Sequence, residues 1–278
     1  MSTTKKTQGR RTATSNGKMA RITAVTNQKG GVGKTTTAHA LVAGLTLKGY
    51  KVLAVDFDPQ EDLTFTMNPA KTTPNMYGLM VSASAQKYTE KAAAKAIQHT
   101  TQGDIIPSDL DLTGADMEFC RTGREYLLSE IIEPLRPMYD YIIIDTPPTL
   151  GILMINALTA ADDIIIPLGA NAFSVKGFSR LQTNINTVKK RCNPHLNVAG
   201  VLVTKYNERS NLAIGVKADI LTKAASVNMP VFKTVIRRSA EIEEVQLEQR
   251  NLYNRKAKLV VAEYLAFVDE YIKGAKNA

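Results

Sequence analysis

The chain has 278 residues, 44% of them hydrophobic and 22% charged, which suits one large globular domain or two small ones. It contains no run of 18 apolar residues, so no transmembrane helix is expected, and Cys120 and Cys192 form no CxxC pair, against a disulfide framework or structural zinc. The net charge of +9 points to an anionic partner, nucleic acid or a membrane surface, and says nothing about fold. Both cysteines are expected as buried or half-buried free thiols in a reducing cytosol.

Residues 1–20 are rich in Ser and Thr, carry Lys5, Lys6, Arg10, Arg11 and Lys18, and precede the first acid, Asp56. They lack the apolar segment of a secretory signal and cannot bury a core. They read as a disordered basic tail, either solubilising or an auxiliary arm for nucleic acid. Residues 21–278 read as one domain. RITAVTN is a β-branched run stopped by glycines, a buried strand; TTTAHALVAGLTLKG is a helix ending at Gly49; KVLAVDFD is a second buried strand. The stretch from Asn68 to Thr101 is polar and Ala/Lys-rich, with variable local structure expected. GDIIP is a short strand and REYLLSEIIEPL a helix stopped near Pro134 and Pro137. Then come the strand YDYIIID, the helix ILMINALTAA, the strand DDIIIPL and the helix FSRLQTNINTVKKR. LNVAGVLVTKY is a strand, AIGVKADILTKAA a helix, PVFKTVI a strand, AEIEEVQL a short helix and RKAKLVVAEYLAFVDEYIKG the last helix. Alternation of this kind predicts an α/β fold, a mostly parallel twisted sheet flanked by helices.

The loop NQKGGVGKTT lies between the first strand and the first helix. The phosphate-loop pattern G-x-x-x-x-G-K-[ST] is met at Gly33-Lys34-Thr35, but Gln28 stands where the first glycine belongs. Gly30, Gly31, Val32 and Gly33 supply a backbone that curls its N–H groups toward phosphate, and the helix N-terminus favours an anion. Lys34 is placed for the β- and γ-phosphates and Thr35 for Mg²⁺, with Thr36 beside them. Asp145 ends the apolar Ile142–Ile144 run, as a metal-holding acid does, and Asp56 and Asp58 end another strand, where carboxylates face the ligand crevice. His39, His99 and His195 lack metal-ligand spacing, and His39 is expected to be packed in its helix.

KGGVGKTT, with its extra Lys29, resembles the deviant phosphate loop of the ParA/Soj family of partition ATPases. The resemblance extends through DFDPQ, IIIDTPPTLGILMINAL, GVLVTKY and VFKTVIRRS, in the family's order and across nearly the whole chain after the tail. It implies a single-domain P-loop NTPase fold, ATP and Mg²⁺, and hydrolysis that is weak without DNA and partner. By the same resemblance Lys29 reaches the phosphates of a second subunit, Gly30 allows close approach, and Asp58 positions the attacking water near the metal. Asp56 sits nearer the metal shell or acts as a cap. Thr204, Ile236 and Arg237 hold the base. Arg238 binds DNA without sequence preference, and Lys205, Arg209, Arg255, Lys256 and Lys258 are weaker candidates.

Two departures stand out. Glu61-Asp62 replaces the family's Gly-Asn, and Arg237 replaces a proline, either stacking on the base or turning outward. The implied activity is DNA segregation in the cytoplasm, on the nucleoid: a homodimer forms on ATP, binds double-stranded DNA, and is triggered by a ParB-like protein. A MinD-like membrane-cycling ATPase is the nearest alternative, but the last helix reads as packed on the domain, so no stable membrane association is expected. An ATP-dependent ligase, an iron-protein reductase and an ATP-gated DNA-binding regulator are the others.

Overall fold

The structure is a computed structural model, and it describes residues 19–171, 174–254 and 259–277. Residues 1–18 of the expected tail, together with Arg255, Lys256 and Lys258, lie outside them. In chain order the elements are β1 (Arg21–Val25), α1 (Lys34–Leu47), β2 (Val52–Asp56), α2 (Asp62–Met67), α3 (Met76–Ser84) and α4 (Glu90–Ala96). They continue with β3 (Gln98–Thr100), β4 (Gly103–Ile106), α5 (Ala115–Glu118), α6 (Leu127–Ile132), β5 (Tyr141–Asp145), α7 (Ile152–Ala160) and β6 (Asp163–Gly169). The last third holds α8 (Ser174–Arg191), β7 (Asn197–Tyr206), α9 (Asn211–Ser226), β8 (Val231–Arg237), α10 (Ala240–Leu247) and α11 (Leu259–Asn277).

Among the described residues the strands form one eight-stranded sheet in the order β3-β4-β2-β5-β1-β6-β7-β8. Every neighbouring pair is parallel except β3–β4. The central strands are apolar on both faces because both are covered. Ile142 and Ile144 of β5 enter the core shared with α3, α6, α7, α8 and α9. Tyr141 and Ile143, alternating with them, enter the core shared with α1, α2, α10 and α11.

Packing of α1 fixes the loop that precedes it. From Thr37 to Leu45 every residue is buried, so this part of the helix carries no amphipathic stripe. At Gly44 it passes so close to α11 that a Cβ would meet Val268 Cγ2 at 2.8 Å and Tyr253 Oη at 2.9 Å. His39 is buried and bonds Gln102 Oε1 at 2.6 Å, while Gln102 donates to the Thr66 carbonyl. Burial lowers the His39 pKa. It is a packed neutral imidazole, as its place in the sequence predicted. On the far side, α11 lies on β8, where Glu270 accepts from Lys233 N (2.7 Å), Thr234 N (3.0 Å) and the Thr234 hydroxyl (2.8 Å).

The expected helix over Arg124–Leu135 is α6 flanked by 3₁₀ turns, since Pro134 and Pro137 each remove a backbone donor. The illegible stretch holds α3 and α4, capped by Asn75 and Thr89, and the antiparallel strand β3. Cys120 is a free thiol but exposed, a correction to the buried or half-buried expectation; Cys192 is half-buried and free. No helix among the described residues is long and apolar enough to cross a membrane.

Candidate functional site

The site forms at the carboxyl ends of β1, β2, β5, β6 and β7, around the loop between β1 and α1. Asn27 anchors the loop's start: its Nδ2 donates to the Pro167 carbonyl at 2.6 Å and its Oδ1 accepts from Lys29 N at 3.0 Å. The Thr204 hydroxyl, near the end of β7, donates to the Val32 carbonyl at 2.8 Å and so grips the loop. Gly31 (φ 69°) and Gly33 (φ 91°) take left-handed conformations that a side chain would strain. No side chain caps α1 and no acid sits in its first turn, so its N-terminal N–H groups face the crevice unscreened.

Lys34 is only 6% exposed. Burial lowers its pKa, opposed by the charges of Asp145, Asp58 and Asp62. Asp145 is fully buried, and neither of its carboxylate oxygens has a hydrogen-bond partner. Burial raises its pKa well above the ordinary range, Asp56 adds to the rise, and Thr35 and Lys34 oppose it. An orphaned buried carboxylate beside a loop threonine is a fit for a hard divalent cation. Among the described residues no three His, Cys, Asp or Glu side chains converge, so such a cation would complete its shell with phosphate oxygens and water.

The segment from Asp56 to Thr64 is tied into a buried polar knot. Asp56 Oδ2 accepts from Thr64 N (2.7 Å) and the Thr64 hydroxyl (2.6 Å); Thr64 Oγ1 accepts from Ser108 N (3.0 Å); the Ser108 hydroxyl donates to the Asp58 carbonyl (2.7 Å). Asp56 therefore organises the segment that carries Asp58, which it also engages through Asp58 N at 3.3 Å. Of the two readings of Asp56, the capping one matches these contacts. Asp58 faces the cavity with Oδ1 accepting from Gln60 N at 3.1 Å. Burial pushes Asp56 up to about 7, above its unfolded value of 3.8. The folded chain thus holds a proton that the unfolded chain releases, and this contribution to stability is lost as pH rises toward and through 7. Relative to wild type, nucleotide-free Asp56→Asn is expected to gain stability on the order of a few kcal/mol between pH 4 and pH 8, read by urea unfolding. A pH-independent difference would show that Asp56 is ionised throughout.

Two cavities meet at Gly33 and Thr36. The first, about 620 Å³, is lined by Gly30, Gly31 and Gly33 to Thr36 of the loop, with Asp58, Gln60, Asp62 and Pro148, while the Val32 side chain is buried beneath the loop. The second, about 510 Å³, is lined by Thr204, Asn207, Ile236, Arg237, Ile242 and Tyr264, among others. The sequence-predicted phosphate and base residues are thus brought together. Glu61 adopts φ 58°, the left-handed conformation that glycine takes without strain, and it delivers Asp62 to the phosphate cavity. Burial and the charge of Asp58 raise the Asp62 pKa.

Of the basic candidates, Arg209 and Arg238 line a neighbouring groove of about 530 Å³, and Arg238 also lines the second cavity. Lys205 (φ 52°) is exposed and lines the rims of both cavities. Lys256 and Lys258 lie outside the described residues. Sequence reading missed Thr64, Ser108 and Asp116, whose carboxylate caps α7 at Ile152 N (2.6 Å) and leaves no room for a side chain at Gly151. No short motif marks these contacts: Ser108 lies 44 residues from Thr64 and 50 from Asp58, and Asp116 lies 36 from Ile152.

The family model described as an AAA domain matches residues 20–198, most of the chain. The sporulation initiation inhibitor protein Soj of Bacillus subtilis is 37% identical over 227 residues, 81% of this chain and 87% of Soj. The chromosome partitioning protein ParA of Myxococcus xanthus is 35% identical over 230 residues, 81% of this chain and 78% of that protein. The chain belongs to the ParA/Soj family of partitioning ATPases. This ParA/Soj-family protein is an ATPase by that membership and by its P-loop fold. Cobyrinic acid a,c-diamide synthase from Mycobacterium smegmatis, crystallised with ADP and magnesium, has a TM-score of 0.77 at 33% identity, covering 93% of this chain and 96% of that one. An ATP complex of a Cyanothece McdA variant has a TM-score of 0.80 at 24% identity and shares the fold, covering 92% and 98%.

Proposed function

We propose that the protein is a DNA-segregation ATPase that closes into a homodimer on ATP, binds double-stranded DNA without sequence preference, and is triggered by a ParB-like partner. The observation that carries this reading is the unequal placement of two lysines in one loop. Lys34 is buried among Asp145, Asp58 and Asp62, as a lysine serving its own chain's phosphates must be. Lys29 stands at the loop's rim, half-buried, its ammonium donating to the exposed Asn171 after β6. From there it serves a phosphate presented by a second subunit.

In this mechanism the loop N–H groups and Lys34 bind and orient the β- and γ-phosphates. Asp145 and the Thr35 hydroxyl would hold Mg²⁺, which would supply charge neutralisation on the phosphate oxygens. Asp58 orients the attacking water, and the Asp56–Thr64–Ser108 knot keeps Asp58 in place. The base lies in the cavity bounded by Ile236, Ile242 and Tyr264. Closure excludes water and brings Lys29 to the charge that develops in transfer. The cycle runs in the cytoplasm, on nucleoid DNA. Packing of α11 supports this over a membrane-cycling role: Tyr264, Phe267, Val268 and Tyr271 are at most 2% exposed, so its apolar face is spent on the core. The synthase resemblance is a second chemistry on the same scaffold, and fold alone does not assign it.

DNA binding is expected to need ATP and to fall with salt at a log-log slope of about −0.9 per phosphate neutralised. Arg238→Glu is expected to weaken plasmid DNA binding by about tenfold or more at moderate salt, measured by mobility shift at saturating ATP because Arg238 also borders the base cavity. Wild-type DNA binding by this variant would remove Arg238 from the contact surface.

A further inference from the structure

Arg237 ends β8 at the boundary between two spaces. It lines the 510 Å³ cavity proposed for the base and also the neighbouring 530 Å³ groove. Glu263, on α11, lines the groove and not the cavity. Its carboxylate grips Arg237 at two points: Oε2 accepts from the backbone N at 2.9 Å and Oε1 from the guanidinium Nε at 2.7 Å. The side chains are 36% and 20% exposed, half-buried rather than a solvated surface pair. The guanidinium is thus drawn to the groove side. The helix that draws it is rigid, since Tyr264, the next residue, is 2% exposed and forms the cavity wall.

We propose that Glu263 is a positioning residue for nucleobase selection, holding the Arg237 guanidinium out of the base cavity. The inference rests on the reading of that cavity as the base site. A guanidinium turned inward would present two parallel N–H donors. Guanine offers two acceptors, O6 and N7, on one edge, whereas adenine offers N7 beside an amino donor that repels the fork. An arginine left free at this position would therefore favour guanine nucleotides. The carboxylate on α11 prevents this, and it makes an arginine compatible with an adenine site.

The test is a titration of MgATP and MgGTP into wild type, Glu263→Ala, Glu263→Gln, Arg237→Ala and the double variant Arg237→Ala/Glu263→Ala, with thermal melts to verify folding. Wild type is expected to prefer ATP. Glu263→Ala is expected to lower the ATP-to-GTP affinity ratio by about tenfold, chiefly through gained GTP binding, with Glu263→Gln intermediate. Arg237→Ala should leave the ratio near wild type, and the double variant should restore it. An unchanged ratio in folded Glu263→Ala, an equal loss of both nucleotides, or a changed ratio persisting in the double variant would overturn the proposal. If Glu263→Ala does not fold, an unchanged ratio in Glu263→Gln does the same. Failure of wild type to bind either nucleotide would instead refute the base-site reading.

Discussion

Lys34→Ala is expected to lose nucleotide binding, with affinity down by at least about a hundredfold in a titration with fluorescent ATP or ADP. Lys34 is the loop's own cation, and charge-assisted hydrogen bonds to phosphate are worth roughly 1.5–3 kcal/mol each. Two such contacts account for two or more orders of magnitude. The surroundings add to the loss. Asp145, Asp58 and Asp62 all bear on the Lys34 ammonium. Without it they would face the incoming phosphates with their charges uncompensated. Lys34→Arg should not rescue fully, because a planar fork does not fit a 6%-exposed slot shaped around an ammonium. Affinity within about threefold of wild type for Lys34→Ala would refute the phosphate assignment of the whole loop.

Lys29→Ala is expected to behave in the opposite way: nucleotide affinity near wild type, with hydrolysis stimulated by DNA and partner reduced by about a thousandfold. That magnitude is at the low end of what a cation delivered in trans contributes to phosphoryl transfer. Sedimentation with a slowly hydrolysed ATP analogue should show loss of the ATP-dependent dimer, since two triphosphate-loaded faces would repel without the crossing charges. In the isolated chain the Lys29 ammonium donates to Asn171, so the lysine reaches outward from its own phosphate cavity. Stimulated turnover at the wild-type rate in Lys29→Ala would reduce this residue to a solvated loop lysine.

How much of this was legible beforehand depends on the range of the interaction. The phosphate loop was legible because its glycines, lysine and threonine act within ten residues. The strands were legible because burial on both faces leaves runs such as Ile142–Ile144. The helix α10 was found residue for residue, bounded by the Ser239 cap. The Asp56–Thr64–Ser108 knot was not legible, because Thr64 and Ser108 are ordinary polar residues until β2 and β4 pair and bring them together. The same holds for Glu263, which reads as one more charged helix residue until α11 packs on β8. The left-handed conformation of Lys205, which sets it beside both cavities, is likewise a backbone feature that composition does not foretell. The 3₁₀ turns around α6 and the strand β3 were hidden by weak local signals, a proline-broken pattern and a three-residue length.

The two glutamates of α11 have a consequence beyond the base cavity. β8 borders the sheet, and a bordering strand exposes donors that can recruit another chain's strand. Glu270 occupies Lys233 N and Thr234 N, and Glu263 occupies Arg237 N, so three of those donors are taken. The opposite border, β3, is only three residues long and antiparallel. Neither margin offers a template for strand addition. The described sheet therefore offers little route for one copy to associate with another by extending it.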